Sequence, residues 1–368
     1  MGTPMPATRR PPAARGSLMD EPAFYNHSGH AATLLPIVDR DGAQARLVIV
    51  KAVYAITPIR QGQPGPAAAQ SLRPADAPRE IRLGDEPWGA PEIADLRLPA
   101  DFGLPKPGTD FILAGHAVPP RGATATRMDV GVRVADRMKV LRIHGPRTWR
   151  RSLTGVVPGP AGPVERTPLA WSRAYGGADF SDPRRPLEDA RNPVGIGITR
   201  HTEHLIGRPA PQIESPDEPV ASAGGSYAPV GCAPLGRHFD PRRRTAGTYD
   251  AAWLQGAYPG RPADYRPEHE HCAPPDFVFQ EPLRGGESVR IVGVHPDALL
   301  DFLLPKWLVR VDATIDGQVR EQRPHLDTVV VDSDAMVVEL VWRALFRCPP
   351  KMRDRFTAVK VQAKEFLA

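Results

Sequence analysis

Apolar and polar positions divide the chain into two well-patterned ends and a poorly patterned middle. The run LVIVKAVYAI at 47–56 is rich in β-branched residues and closed by Thr57 and Pro58. It predicts a buried strand. A second, DFILAGHAV at 110–118, stops at Pro119 and Pro120. MDVGVRV at 128–134 alternates apolar with small or polar residues, and the alternation resumes in MKVLRI at 138–143. That pattern predicts a hairpin, ended by Gly145 and Pro146. Further on, ESVRIVGV at 287–294 reads as a strand. Residues 308–315 and 319–322 flank Asp316 and Gly317, a turn pair in which both residues tolerate positive φ. TVVV at 328–331 and MVVELVW at 336–342 predict another antiparallel pair. Beyond Pro350, Phe356, Val359, Val361 and Phe366 stand among good helix formers, which predicts a C-terminal helix docked on the sheet.

Residues 147–282 hold few strand-length apolar runs and many Gly and Pro. Irregular stretches of that length are uncommon in a compact domain unless they are functional. They are expected to be ordered by packing on the sheets, with their turns at the surface. Residues 61–78 read as an exposed loop. The 33 glycines and 44 prolines are about one residue in five, against roughly 12% in ordinary usage. The fold expected is mainly β, with antiparallel sandwich-like sheets, long Gly/Pro-rich loops and the C-terminal helix. Three segments follow: a disordered tail at 1–20, a β-rich body at 21–346, and the helix at 347–368. The body is one unit or two packed sub-domains with a break near 150–285.

Charge adds little direction. With 47 basic and 42 acidic residues the net charge is +5, and the arginines are spread along the chain. Nucleic-acid binders concentrate basic residues on one element with aromatics between, so no nucleic-acid partner is expected. Three cysteines without a close pair suit a reducing compartment. No apolar run approaches 18 residues and the N-terminus lacks an apolar signal core, so neither membrane nor secretory signal is expected and the cytoplasm is the location implied.

Candidate chemistry is thin. His269, His271 and Cys272, with Glu270 between them, put potential metal ligands in four residues; His201, Glu203 and His204 make a second set. Zinc motifs pair such clusters at fixed spacings that are absent here, so polar loop residues beside a buried Cys are expected, without a metal. Gly176, Gly177, Gly195 and Gly197 invite a phosphate-loop reading. The third glycine and following helix that a dinucleotide fingerprint needs are missing. These glycines, with Asn192, Pro193 and Gly247, read as structural turns. Ser172 lacks a nucleophile elbow, and Asp179, Asp182 and Glu188 lie in a polar loop. No catalytic residue and no cofactor are expected. Arg237 with Arg242, Arg243 and Arg244 forms the densest basic patch, suited to carboxylates on a protein partner.

A set of motifs stands in order along the chain: Lys51, Ala52 and Tyr54; KPGTDFILAGHA at 106–117; PLAW at 168–171 with AYGG at 174–177; NPVGIG at 192–197; AGTYDAAW at 246–253; APPD at 273–276 with Gln280; LDTVVVD at 326–332 with VWR at 341–343. Their order and spacing resemble the bacterial family called domain of unknown function 2169, found beside type VI secretion genes. The family usually carries Phe where Tyr175 stands, which keeps the ring. The resemblance implies a non-enzymatic adaptor or chaperone that helps load a toxic effector onto the spike formed by VgrG and PAAR-type proteins. It assigns no catalytic residues. Trp171, Tyr175, Tyr249 and Trp253, with Arg242, Arg243 and Arg244, are then the candidate partner contacts. Two other readings stand beside it. One is a metal-dependent or hydrolytic enzyme built on His269, His271 and Cys272; the other is a permanent structural β module of a larger assembly.

Overall fold

Strand Gln44–Ala55, buried at eight of its twelve positions, runs through a seven-stranded sheet. Its neighbours follow in the order Ala31–Val38, Gln44–Ala55, Val337–Arg347, Leu326–Asp332, Thr109–Ala114 and Val278–Phe279, with Arg73–Pro74 added beside Gln44–Ala55. The structure is a computed structural model and describes residues 21–60, 70–77, 79–89, 95–348 and 355–366. The expected tail at 1–20 and residues 61–69 of the expected loop lie outside the described residues. A second seven-stranded sheet contains the hairpin Arg127–Val134 and Arg137–His144, followed by Ser288–Val292 and Ala298–Leu303. A third sheet orders Ala23–His27, Phe356–Phe366, Lys306–Ile315 and Gln318–Gln322.

One continuous apolar core draws on all three sheets: Val48, Val50, Leu340 and Trp342 from the first, Val130, Val132 and Ile291 from the second, Val309, Val311 and Val361 from the third. Side chains alternate across a strand. Val338, Leu340 and Trp342 therefore enter this core, while Glu339, Val341 and Arg343 point to the opposite face. The expected hairpin turn is present, with φ of +58° at Asp316 and +70° at Gly317.

Among the described residues strands make up 43% and helix 8%, and no helix reaches seven residues. The C-terminal helix is thus a correction. Residues Phe356–Phe366 form a strand, antiparallel to Lys306–Ile315 and parallel to Ala23–His27. Val359 and Val361 are buried while Lys360 is exposed, a period of two that β-branched residues favour. A register shift at Thr314 and Ile315 brings Phe356 inward as well. The sheets are also mixed, because Leu326–Asp332 runs parallel to Thr109–Ala114. Strands Ala23–His27, Ala31–Val38 and Ala298–Leu303 were not expected from the pattern. Within residues 147–282 the longest strands, Trp149–Ser152 and Gly155–Pro158, have four residues each.

Candidate functional site

The face of the first sheet turned away from the core carries charge. Register places Lys51 opposite Val341, Val341 opposite Thr328 and Thr328 opposite Asp110, with Val53, Glu339, Val330 and Ile112 in the next row. Lys51, Asp101, Lys106, Asp110, Asp327, Asp332, Glu339 and Arg343 are all 5% exposed or less. Lys51 Nζ reaches Asp101 at 2.9 Å and Glu339 at 3.2 Å. Arg82 Nη1 donates to Glu339 at 3.0 Å, and Arg79 spans Glu339 at 2.9 Å and Asp332 at 3.1 Å. Arg97 donates to both oxygens of Asp332 at 3.1 Å. A second group follows: Lys106 Nζ donates to Asp110 and Thr328 at 2.7 Å each, and Arg343 Nη1 donates to Asp327 at 3.0 Å.

The consequence is electrostatic. Burial works to raise the Glu339 carboxyl, but the Arg82 hydrogen bond and the nearby charges of Arg82 and Lys51 override it and hold it at about 2. Burial likewise opposes ionisation of Asp110, yet Lys106 and His271 hold its carboxyl well below the usual range. Burial disfavours a charged Lys106, and the charge of Asp110 outweighs it, so its pKa is raised. These pairs are ionised and matched. They tie residues 79–82 and 97–106 and the loop at 269–273 onto the sheet, because Asp110 also accepts from the Cys272 amide at 2.6 Å and the Ala273 amide at 3.2 Å.

The side chain of each of the three candidate ligands has a partner within the protein. His269 Nδ1 donates to the Arg242 carbonyl at 2.9 Å, and His271 Nδ1 donates to Asp110 at 2.6 Å. Cys272 Sγ lies 3.4 Å from Lys106 Nζ. Burial pushes the Cys272 thiol up to about 11 against the pull of Lys106, so it is a thiol and not a thiolate at neutral pH. Burial also lowers His269, which favours its neutral form. Among the described residues no group of three or more His, Cys, Asp or Glu is placed to hold a metal ion. His201 and His204 are exposed.

Trp171 and Tyr175, two of the candidate partner contacts, are buried. Trp171 Nε1 donates to the Ala233 carbonyl at 3.0 Å, and Tyr175 Oη donates to the Gly225 carbonyl at 2.6 Å. Both pack under the loops around Asn192, which is wholly buried and donates from Nδ2 to the carbonyls of Trp171 and Tyr175 at 2.9 Å each. The Asn192 carbonyl in turn accepts from the amides of Gly177 and Gly195. Gly176 has φ +143°, and a Cβ there would stand 2.4 Å from the Asn192 carbonyl oxygen. Gly177 has φ +98°. Pro193 and Gly197 complete this knot, and Gly247 makes a separate turn against Pro262.

The basic triplet divides. Arg242 is buried, a correction to its expected place on the surface, and its Nε and Nη1 donate to the carbonyls of His269 at 3.1 Å and Leu235 at 2.7 Å. Arg243 and Arg244 stay outside, paired with Glu188 at 3.0 Å and Asp240 at 2.7 Å. The short helix Ala251–Gly256 follows, capped by Asp250, which accepts from the Trp253 amide. Around it Tyr249 is 49% exposed, Leu254 60% and Tyr258 65%. Trp253 is half-buried and meets Tyr249 edge-on at 4.7 Å and Tyr258 at 5.8 Å, while its indole N–H donates to the Gly260 carbonyl at 2.8 Å. Leu254 and Tyr258 were missed from sequence. A Leu and a Tyr in a Gly/Pro-rich stretch give no period by which to tell exposure from burial.

No curated protein and no solved structure matches the chain. The model of one bacterial family, described as an uncharacterized protein conserved in bacteria and designated domain of unknown function 2169, matches residues 41–343. All eight buried charged groups of this ionic stripe, Lys51, Asp101, Lys106, Asp110, Asp327, Asp332, Glu339 and Arg343, lie within that span, and the chain belongs to this family.

Proposed function

We propose that this protein is a non-enzymatic, cytoplasmic adaptor of type VI secretion that binds a toxic effector and assists its loading onto the VgrG/PAAR spike. The observation that carries the reading is the aromatic ridge of Tyr249, Trp253, Leu254 and Tyr258. Interface centres are enriched in Tyr, Trp and Arg held in place before the partner arrives. Here the rings brace one another, Asp250 caps the helix, and Arg261 donates to the Tyr249 hydroxyl beside it. Ordering of these side chains is met in folding, so little is left to lose on binding.

The ionic stripe supports the same reading from the other side. Its charged residues face one another, and each carboxylate meets at least one cation. Such a stripe suits a scaffold that fixes loops in space. The test is capture of the tagged protein from its own bacterium with the secretion genes expressed. The reading expects a spike protein together with a toxin-like protein; recovery of neither overturns it.

A further inference from the structure

Beside the stripe lies a notch of about 30 Å³, with Lys106, Arg237, Arg242, Arg343, Glu270 and Asp85 in its wall. Most of these charges are already matched. Lys106 has Asp110 and Arg343 has Asp327. Asp85 accepts from the Ala100 amide at 2.8 Å, and Glu270 accepts from the Tyr265 hydroxyl at 2.8 Å with Arg261 at 3.9 Å. Two cations remain. Arg242 is only 6% exposed, yet no carboxylate of the described residues lies within ion-pair distance; its bonds go to two neutral carbonyls, and Nη2 makes none. Arg237 is exposed and has no ion pair among the described residues either. A buried guanidinium without an anion is costly, and buried charges are as a rule paired.

We propose that this notch receives a carboxylate: the Asp or Glu side chain of a protein partner seated on the aromatic ridge. The inference rests on the adaptor reading of that ridge. The two features are joined, since Arg261 reaches Glu270 of the notch wall at 3.9 Å and the Tyr249 hydroxyl of the ridge at 3.3 Å. The volume corresponds to roughly two waters at about 10–15 Å³ each, enough for the two oxygens of one carboxylate. A planar guanidinium fork suits that group. Glu270 shares the wall and repels an incoming carboxylate, so a free carboxylate binds weakly and the rest of the partner must hold it in place.

Acetate is the probe. In the full-length protein at pH 7 the Arg242 Nε–H resonance is followed by NMR while sodium acetate replaces sodium chloride at constant ionic strength. The proposal expects a saturable shift, weakened about two- to fivefold in Arg237→Ala, the range of one exposed charge pair. The Arg290→Ala variant, remote from the notch, should titrate like wild type. A response that does not saturate, is identical for chloride, or is unchanged in Arg237→Ala overturns the proposal. Absence of an acetate response while the ridge still captures a spike protein overturns the notch and leaves the adaptor reading. Saturation with no partner captured keeps the notch and overturns the adaptor reading.

Discussion

The stripe across the first sheet and the ridge around Ala251–Gly256 serve opposite ends. In the stripe, Lys51, Lys106 and Arg343 are buried and each meets a carboxylate. At the ridge, Leu254 and the rings of Tyr249 and Tyr258 face solvent. Burial decides the role. A charge sealed against its partner holds segments together and is strongly destabilising if left alone. An exposed apolar or aromatic side chain contributes little to folding and is free to meet another surface.

The comparison breaks most visibly at the stripe. Asp110→Ala would strand Lys106 and the amides of Cys272 and Ala273, and is expected to cost about 3–5 kcal/mol in denaturant unfolding; a change under 1 kcal/mol would contradict the role given to it. Acid should reach the same stripe through Glu339. Its folded pKa of about 2 lies below the ordinary 4.5, so its contribution is complete above pH 4.5 and is lost as pH falls towards 2. At roughly 1.4 kcal/mol per unit this amounts to about 3 kcal/mol. Unfolding midpoints measured from pH 6 to pH 2 should show that fall, and Glu339→Gln should flatten it. Below these comes Gly176→Val, expected to cost about 1–3 kcal/mol because φ is positive there and the Asn192 carbonyl occupies the Cβ position. An unchanged melting curve would rule that out.

How legible these regions were in the sequence follows from the same physics. Gln44–Ala55, the 127–144 hairpin and the turn at Asp316 and Gly317 were readable because local pattern and turn chemistry agree with the fold. The C-terminal segment was misread because Lys, Gln, Ala and Glu favour helices, while sheet pairing on both sides overrides that preference. In the stripe, Lys51 and Glu339 are far apart in sequence and meet only through register, so each looked like an isolated charge in an apolar run. Arg242 looked like a member of a solvated triplet. Only the close approach of the 235 and 269 carbonyls turns it inward. The ridge carried aromatic residues that composition flagged, but exposure could not be separated from burial where no periodicity exists.

The smallest effects on stability are expected at the ridge and the outer arginines. Leu254→Asp with Tyr258→Asp should cost about 0.5–1.5 kcal/mol, the range of one aromatic pair, because Tyr258 meets the Trp253 ring, and leave the protein folded. Arg243→Glu with Arg244→Glu should weaken partner capture more at low salt than at moderate salt, the signature of screened exposed charge; equal capture at both would remove electrostatics from the account. The most direct measurement compares capture by wild type and by the folded Leu254→Asp/Tyr258→Asp variant from the native bacterium. The account predicts that wild type recovers a spike protein with a toxin-like protein and that the variant loses both. Equal recovery by the two would contradict it.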